Sequence, residues 1–203
     1  MKKSNPYPSL ESEGIQDKKV LRAVRSLPRE LFVAPEFSKN AYVNAPLPIA
    51  CGQTISQPFI VAYMSEKLQL KSSDIVLEIG TGSGFQTSVL AQLVQKVYTI
   101  EFHPQLSQTA QKVLNKLGYL NVNYRVGDGK VGWNEQAPFD KIILTAMAQT
   151  IPSLLVKQLK IGGKMILPLQ VNPIEQYLVL ITKLSEGKIK QEKLLPVRFV
   201  PLA

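Results

Sequence analysis

Ile75-Val76-Leu77-Glu78-Ile79-Gly80-Thr81-Gly82-Ser83-Gly84 decides how this 203-residue chain folds. The run 75–79 is short and nearly all apolar rather than alternating, as a strand buried on both faces requires. It stops at a glycine, passes through Gly-x-Gly-x-Gly and enters a helical pattern over residues 84–94. Similar runs recur at 97–100, 122–126, 141–145, 164–169 and 176–183, with further helical stretches at 104–117 and 151–159, the last closed by Gly162-Gly163. Strand and helix alternate, which predicts an α/β fold with a mostly parallel sheet covered on both faces. The last two runs, 176–183 and 194–202, are separated by Glu186-Gly187 and no helix, so they are expected to form an antiparallel C-terminal edge.

Upstream, residues 15–27 place Val20, Leu21, Val24 and Leu27 on one helical face that stops at Pro28. Residues 32–58 hold Pro35, Pro46, Pro48 and Gly52, which prevent long regular elements, and a connection of this length inside a compact domain is usually functional. Ser56-Gln57-Pro58 reads as a helix start with Ser56 as its N-cap. The expected organisation is one domain over 1–203, with a helical extension and loop at 1–58 and an α/β core at 59–203.

Composition narrows the chemistry. One cysteine, Cys51, and one histidine, His103, exclude a disulfide framework and a thiolate-rich metal cluster, so no metal is expected. Hydrophobic residues at 45% and a mean hydropathy of +0.01 argue for a folded chain. No apolar run approaches the roughly 20 residues that cross a bilayer, so no membrane partner is expected. Met1-Lys2-Lys3 is followed by Ser4, Asn5 and Pro6 rather than an apolar stretch, so a cytoplasmic location is expected. The net charge of +9 is dispersed in single or alternating lysines such as Lys188, Lys190 and Lys193. That pattern reads as a solvated basic face that attracts acidic groups, and argues against nucleic acid as the main partner.

The glycine turn sits where an open α/β sheet binds its ligand, because glycines admit a close backbone approach and a helix N-terminus offers free N–H groups. Phe85 stands where a dinucleotide fingerprint wants its third glycine or alanine, and no Gly-Lys-Ser/Thr ending is present. Glu101 lies 21 residues after Gly80, where a carboxylate accepts ribose hydroxyls, and Asp128 in Gly127-Asp128-Gly129 ends the next strand, placed to accept from an adenine amino group. Taken singly, the glycines make a tight turn, Glu101 caps the helix near Pro104 and Asp128 serves a turn. Together, at successive strand ends, they point to a nucleoside site.

Glu78-x-Gly80-x-Gly82-x-Gly84 resembles the first motif of the class I S-adenosylmethionine-dependent methyltransferases. The resemblance narrows at residues 45–58, Ala-Pro-Leu-Pro-Ile-Ala-Cys-Gly-Gln-Thr-Ile-Ser-Gln-Pro, which is similar to the signature of the protein-L-isoaspartate (D-aspartate) O-methyltransferases. Arg29-Glu30-Leu31-Phe32-Val33, Ala137-Pro138-Phe139-Asp140 and Arg198-Phe199-Val200-Pro201-Leu202 extend the likeness over nearly the whole chain. The resemblance implies a Rossmann-like, doubly wound, seven-stranded sheet. It also implies methyl transfer from S-adenosylmethionine to the α-carboxylate of L-isoaspartyl residues in damaged proteins, leaving S-adenosylhomocysteine. It places the cofactor on Glu78, Gly80, Thr81, Gly82, Ser83, Gly84, Glu101, Asp128 and Gly129. Ser56 and Thr54 become the catalytic pair that orients the carboxylate, and Gln53, Ile55, Val200, Pro201 and Leu202 the contacts to the peptide.

The chemistry agrees. A carboxylate is ionised at neutral pH and a sulfonium is a good methyl donor, so an in-line displacement needs positioning rather than a metal or strong base. Two other readings stay open: a methyltransferase acting on RNA, a small molecule or a natural-product peptide, and a non-catalytic cofactor-binding protein of the same fold. A monomer is expected. Three departures from the family pattern matter. Ala50 stands where glycine is usual and would strain a left-handed loop, Phe102-His103 replaces an arginine-containing pair, and Met147 is expected to narrow the acceptor pocket.

Overall fold

Asp17 starts the first substantial helix by accepting at Oδ1 from the backbone N–H of Lys19 (2.7 Å) and Val20 (3.3 Å). The computed structural model describes Tyr7 and residues 9–202, so the reading of Met1 to Pro6 lies outside the described residues. Helix α1 is a single turn, Ser9–Ser12, and α2 spans Lys18–Ser26. As its periodicity predicts, α2 buries Val20, Leu21 and Val24. They pack with Val61 and Ala62 of α3 (Pro58–Lys67) and with Phe85 and Val89 of α4 (Phe85–Leu93) in one apolar cluster. The extension is therefore docked on a helical layer of the sheet.

Between α2 and α3 the chain makes a small antiparallel ribbon, β1 (Leu47–Pro48) against β2 (Thr54–Ile55), joined through a tight turn. The left-handed residues of that turn are Cys51 (φ +58°) and Gly52 (φ +66°), not Ala50, so the strain expected at Ala50 falls one position later. Gln57, not Ser56, occupies the N-cap position of α3 without a side-chain cap of its own; Pro58 at N1 supplies the pre-set φ and needs no donor partner, and Asn44 Oδ1 accepts from Phe59 N (3.0 Å) in the first turn.

Strands β3 (Ile75–Ile79), β4 (Lys96–Glu101), β5 (Val122–Val126), β6 (Phe139–Leu144), β7 (Leu159–Gln170), β8 (Gln176–Ser185) and β9 (Lys188–Val197) form one sheet in the order β5-β4-β3-β6-β7-β8-β9. The first five strands in that order are parallel to one another, and β8 runs antiparallel to both of its partners. Helices α5 (Pro104–Lys116) and α6 (Ser153–Lys157) complete the layers. Leu77 and Ile79 join the core on one face with Phe139 and Leu144, while Val76 joins Met64, Leu90 and Ile166 on the other. This accounts for the unbroken apolar run of β3.

Two boundaries differ from the sequence expectation. Gly162-Gly163 does not end a helix but lies inside β7, where a Cβ on Gly163 would sit 3.0 Å from the Asp140 carbonyl of the neighbouring strand. The final run starts earlier than expected, at Lys188, and divides: β9 ends at Val197, and the chain then crosses back so that Met147 N donates to Val200 O (2.8 Å) and Leu202 N donates to Met147 O (2.8 Å). That strap passes over the C-terminal ends of β3 and β6, where strand order reverses and an open sheet leaves a crevice.

Candidate active site

The floor of the crevice is the glycine turn. Gly80 has φ +94°, and a Cβ there would lie 2.4 Å from Thr145 Oγ1, which donates to the Gly80 carbonyl (2.6 Å). Only glycine satisfies both conditions. Gly82 N donates to Glu101 Oε2 (2.8 Å), and His103 N donates to Glu101 Oε1 (3.0 Å). Glu101 thus ties the turn after β3 to the end of β4. A carboxylate has about four acceptor positions, and two are used, which leaves room for hydroxyl donors from a ligand. The capping expected of Glu101 is also present in part, since His103 holds the N-cap position of α5.

Behind the turn, Glu78 is fully buried. Its Oε2 accepts from Thr87 Oγ1 (2.6 Å) and Thr99 Oγ1 (2.7 Å), and Thr81 Oγ1 lies 2.7 Å from Thr99 Oγ1. Because the Thr99 proton goes to Glu78, Thr81 donates to Thr99, giving a directed chain from turn to strand. Burial pushes the Glu78 carboxyl up to about 8, the two threonine hydroxyls pull it back, and Glu101 adds repulsion.

Ile100, Phe102 and Leu106 make an apolar wall beside Glu101, and Gly129 closes the floor. Gln53 and Thr54 border the other side, and Val200, Pro201 and Leu202 form the strap. Of the residues singled out in the sequence, the crevice gathers Gly80, Gly82, Glu101, Gly129, Gln53, Thr54 and Val200-Pro201-Leu202. It leaves other predicted residues out. Glu78 and Thr81 stand behind the turn, Ser83 Oγ accepts from Phe85 N (3.3 Å), and Gly84 lets α4 approach α5, where a Cβ would lie 2.5 Å from Leu114. Asp128 is exposed and its Oδ1 accepts from Lys130 N (2.8 Å), the turn role. Ile55 is 2% exposed and belongs to the core, so it does not line the crevice.

Ser56 lies in a second cavity next door, with Pro46, Ile60, Arg198 and Phe199. Thr54 borders both cavities and joins them. Met147 faces a third hollow, with Thr150 and Leu154, and does not narrow the crevice; its backbone pins the strap. The apolar wall and Thr145 escaped the sequence reading, since strand-end residues such as Ile100 carry no motif of their own. Arg198 and Phe199 were read only as part of a matching stretch.

The donor set fits an adenosyl ligand: a carboxylate with spare acceptor capacity, an apolar wall for a base, and a turn whose glycine admits a close backbone approach. A profile of the protein-L-isoaspartate (D-aspartate) O-methyltransferases matches residues 2–203. The chain belongs to this family. The protein-L-isoaspartate O-methyltransferase of Parvibaculum lavamentivorans is 53% identical over 195 residues, covering 95% of this chain and 87% of that one. The Dictyoglomus turgidum protein of the same name is 51% identical over 193 residues, again covering 95% and 87%. Among solved structures, one protein-L-isoaspartate O-methyltransferase superposes with a TM-score of 0.86 at 27% identity over 96% of this chain, which spans 63% of that longer chain. A beta-aspartate methyltransferase from Plasmodium falciparum in complex with S-adenosyl-L-homocysteine superposes with a TM-score of 0.84 at 25% identity, covering 96% and 95%. The family uses S-adenosylmethionine, and the carboxylate-and-glycine crevice is where this chain's residues suit it.

Proposed function

We propose that this chain is a protein repair methyltransferase whose cofactor crevice and peptide groove meet at Thr54. When bound, S-adenosylmethionine supplies a methyl group activated on a sulfonium, and S-adenosylhomocysteine is the product. Glu101 accepts the ribose hydroxyls, the backbone at Gly80 and Gly82 receives the cofactor's amino-acid end, and Ile100 and Leu106 enclose the base. On the acceptor side, the hydroxyls of Thr54 and Ser56 donate to one oxygen of the isoaspartyl α-carboxylate. The other oxygen is then aimed at the methyl group. Holding two reactants in line removes most of the entropic barrier, so no ionisable side chain is needed at the reacting atoms. Arg198 beside Ser56 adds positive charge to the groove, and the strap Val200-Pro201-Leu202 forms the wall against which the peptide lies.

The observation that carries this reading is the position of Thr54, bordering both the crevice and the groove that holds Ser56. It supports transfer to a peptide carboxylate over transfer to a base that would have to enter the crevice itself. The same reading has the chain working as one domain and as a monomer in the cytoplasm. The docking of α2 in the core cluster supports the single domain. No helix of the described residues is long and apolar enough to cross a membrane. Ser56→Ala tests the assignment: a tenfold or larger fall in kcat/KM for an isoaspartyl peptide, with unchanged S-adenosylhomocysteine binding, is expected. Unchanged kcat/KM would remove Ser56 from the site.

A further inference from the structure

Arg29 borders neither the crevice nor the groove, yet it heads the fully buried side chains by volume, at 0% exposure. A buried guanidinium ordinarily meets a carboxylate. Among the described residues, no Asp or Glu oxygen lies within 4.0 Å of this one. Its Nη protons go instead to peptide carbonyls, while the buried Nε has no hydrogen-bond partner among the described residues. Nη1 donates to Ala41 O and Val43 O, the latter at 3.3 Å, and Nη2 donates to Ala45 O (3.1 Å) and Ser56 O (3.0 Å). Residues 41–45 belong to no helix or strand, so no ladder satisfies their carbonyls, and the guanidinium fork takes that place.

The four carbonyls come from the two ends of the loop that carries β1 and β2, and the last belongs to Ser56 itself. On the other side, the guanidinium carbon lies 5.5 Å from the ring centroid of Phe85. Phe85 follows Gly84 directly and opens α4, the helix behind the cofactor turn. One side chain therefore touches the acceptor loop at Ser56 and the cofactor element at Phe85.

We propose that Arg29 is a positioning residue for methyl transfer, locking the loop that bears Thr54 and Ser56 against the helix behind the glycine turn. This rests on the reading that Thr54 and Ser56 hold the acceptor carboxylate. A shift of about 1 Å between reacting groups costs on the order of 100-fold in rate, so fixing the loop is worth a buried charge. Lysine cannot replace the fork, because an ammonium offers its donors from one point and cannot span four carbonyls.

The test compares wild type with Arg29→Lys, and with Phe85→Leu, which removes the ring beneath the guanidinium together with its edge contact to Phe32 and keeps an apolar core residue. Each is assayed for S-adenosylhomocysteine affinity by calorimetry, for melting temperature, and for KM and kcat with an isoaspartyl peptide at a temperature well below melting. Arg29→Lys is expected to raise the peptide KM at least tenfold and lower kcat while cofactor affinity stays within threefold; Phe85→Leu shifts the peptide KM the same way by about threefold. If Arg29→Lys does not fold, Phe85→Leu decides alone. A lowered melting temperature with peptide KM and kcat unchanged makes Arg29 a folding residue only and overturns the proposal. Loss of cofactor affinity in step with activity overturns it too. Wild type that binds cofactor but methylates no isoaspartyl peptide would sink the functional reading, and this inference with it.

Discussion

Replacing Glu78 with glutamine should change how stability depends on pH more than it changes stability itself. Glu78 is fully buried and its carboxyl is pushed up to about 8 from an ordinary value of 4.5, chiefly by desolvation. Below the ordinary value the group is protonated in both folded and unfolded chains and contributes no pH dependence. Between 4.5 and about 8 the unfolded chain releases the proton and the folded chain keeps it, so stability falls as pH rises. The slope is about 1.4 kcal/mol per pH unit. Integrated to pH 7 this is roughly 3 kcal/mol, and it levels off near 5 kcal/mol above the folded value. Glutamine keeps an oxygen to accept from Thr87 and Thr99 but cannot ionise. It places an amide where Glu78 Oε1 has no partner, at a cost of about 1–3 kcal/mol that is constant with pH. Urea unfolding of both proteins at half-unit steps from pH 5 to 8.5 is the assay. The difference, Gln variant minus wild type, should climb by about 3–4 kcal/mol across that window. A difference that is flat within 1 kcal/mol would refute the buried, protonated Glu78.

Glu101→Gln replaces the charged acceptor assigned to the ribose hydroxyls with a neutral amide and loosens the tie to Gly82 N or His103 N; one charge-assisted bond to the cofactor, about 1.5–3 kcal/mol, is lost, which weakens cofactor affinity roughly 10- to 150-fold by calorimetry. Affinity within threefold of wild type would contradict the clamp. Gly80→Ala combines left-handed strain of about 1–2 kcal/mol with displacement of the Thr145 hydroxyl, a further ~1 kcal/mol, and should lower the melting temperature by roughly 5–10 °C. Cys51→Gly relieves a left-handed residue at φ +58° and should stabilise the chain by about 0.5–1 kcal/mol in urea unfolding, with activity retained.

The parts of this fold written as apolar runs could be read from the chain. β3 announced itself because both of its faces are buried, and Glu101 because the next strand must end about one βα unit later. Gly162-Gly163 misled because a glycine pair stops a helix as readily as it lets two strands pass closely, and only the Asp140 carbonyl distinguishes the cases. The cofactor crevice was legible in its backbone contacts and not in its walls. Asp128 accepts from Lys130 N and Gly84 lets α4 approach α5, contacts that sequence spacing does not separate from a place in the cofactor site. Ser56 was legible only through family likeness, since β1 and β2 are two residues each and carry no period. Arg29 stands in a stretch that carries the family likeness, but nothing local shows its role, because its partners are carbonyls 12 to 27 residues away.

The central claim is that a methyl group passes from S-adenosylmethionine to an isoaspartyl carboxylate where crevice and groove meet. One short peptide in two forms, L-isoaspartyl and normal L-aspartyl, incubated with methyl-labelled cofactor tests it directly. Base-labile label on the isoaspartyl form alone is the predicted result. Equal labelling of both forms, or none on either while the cofactor still binds, would contradict it.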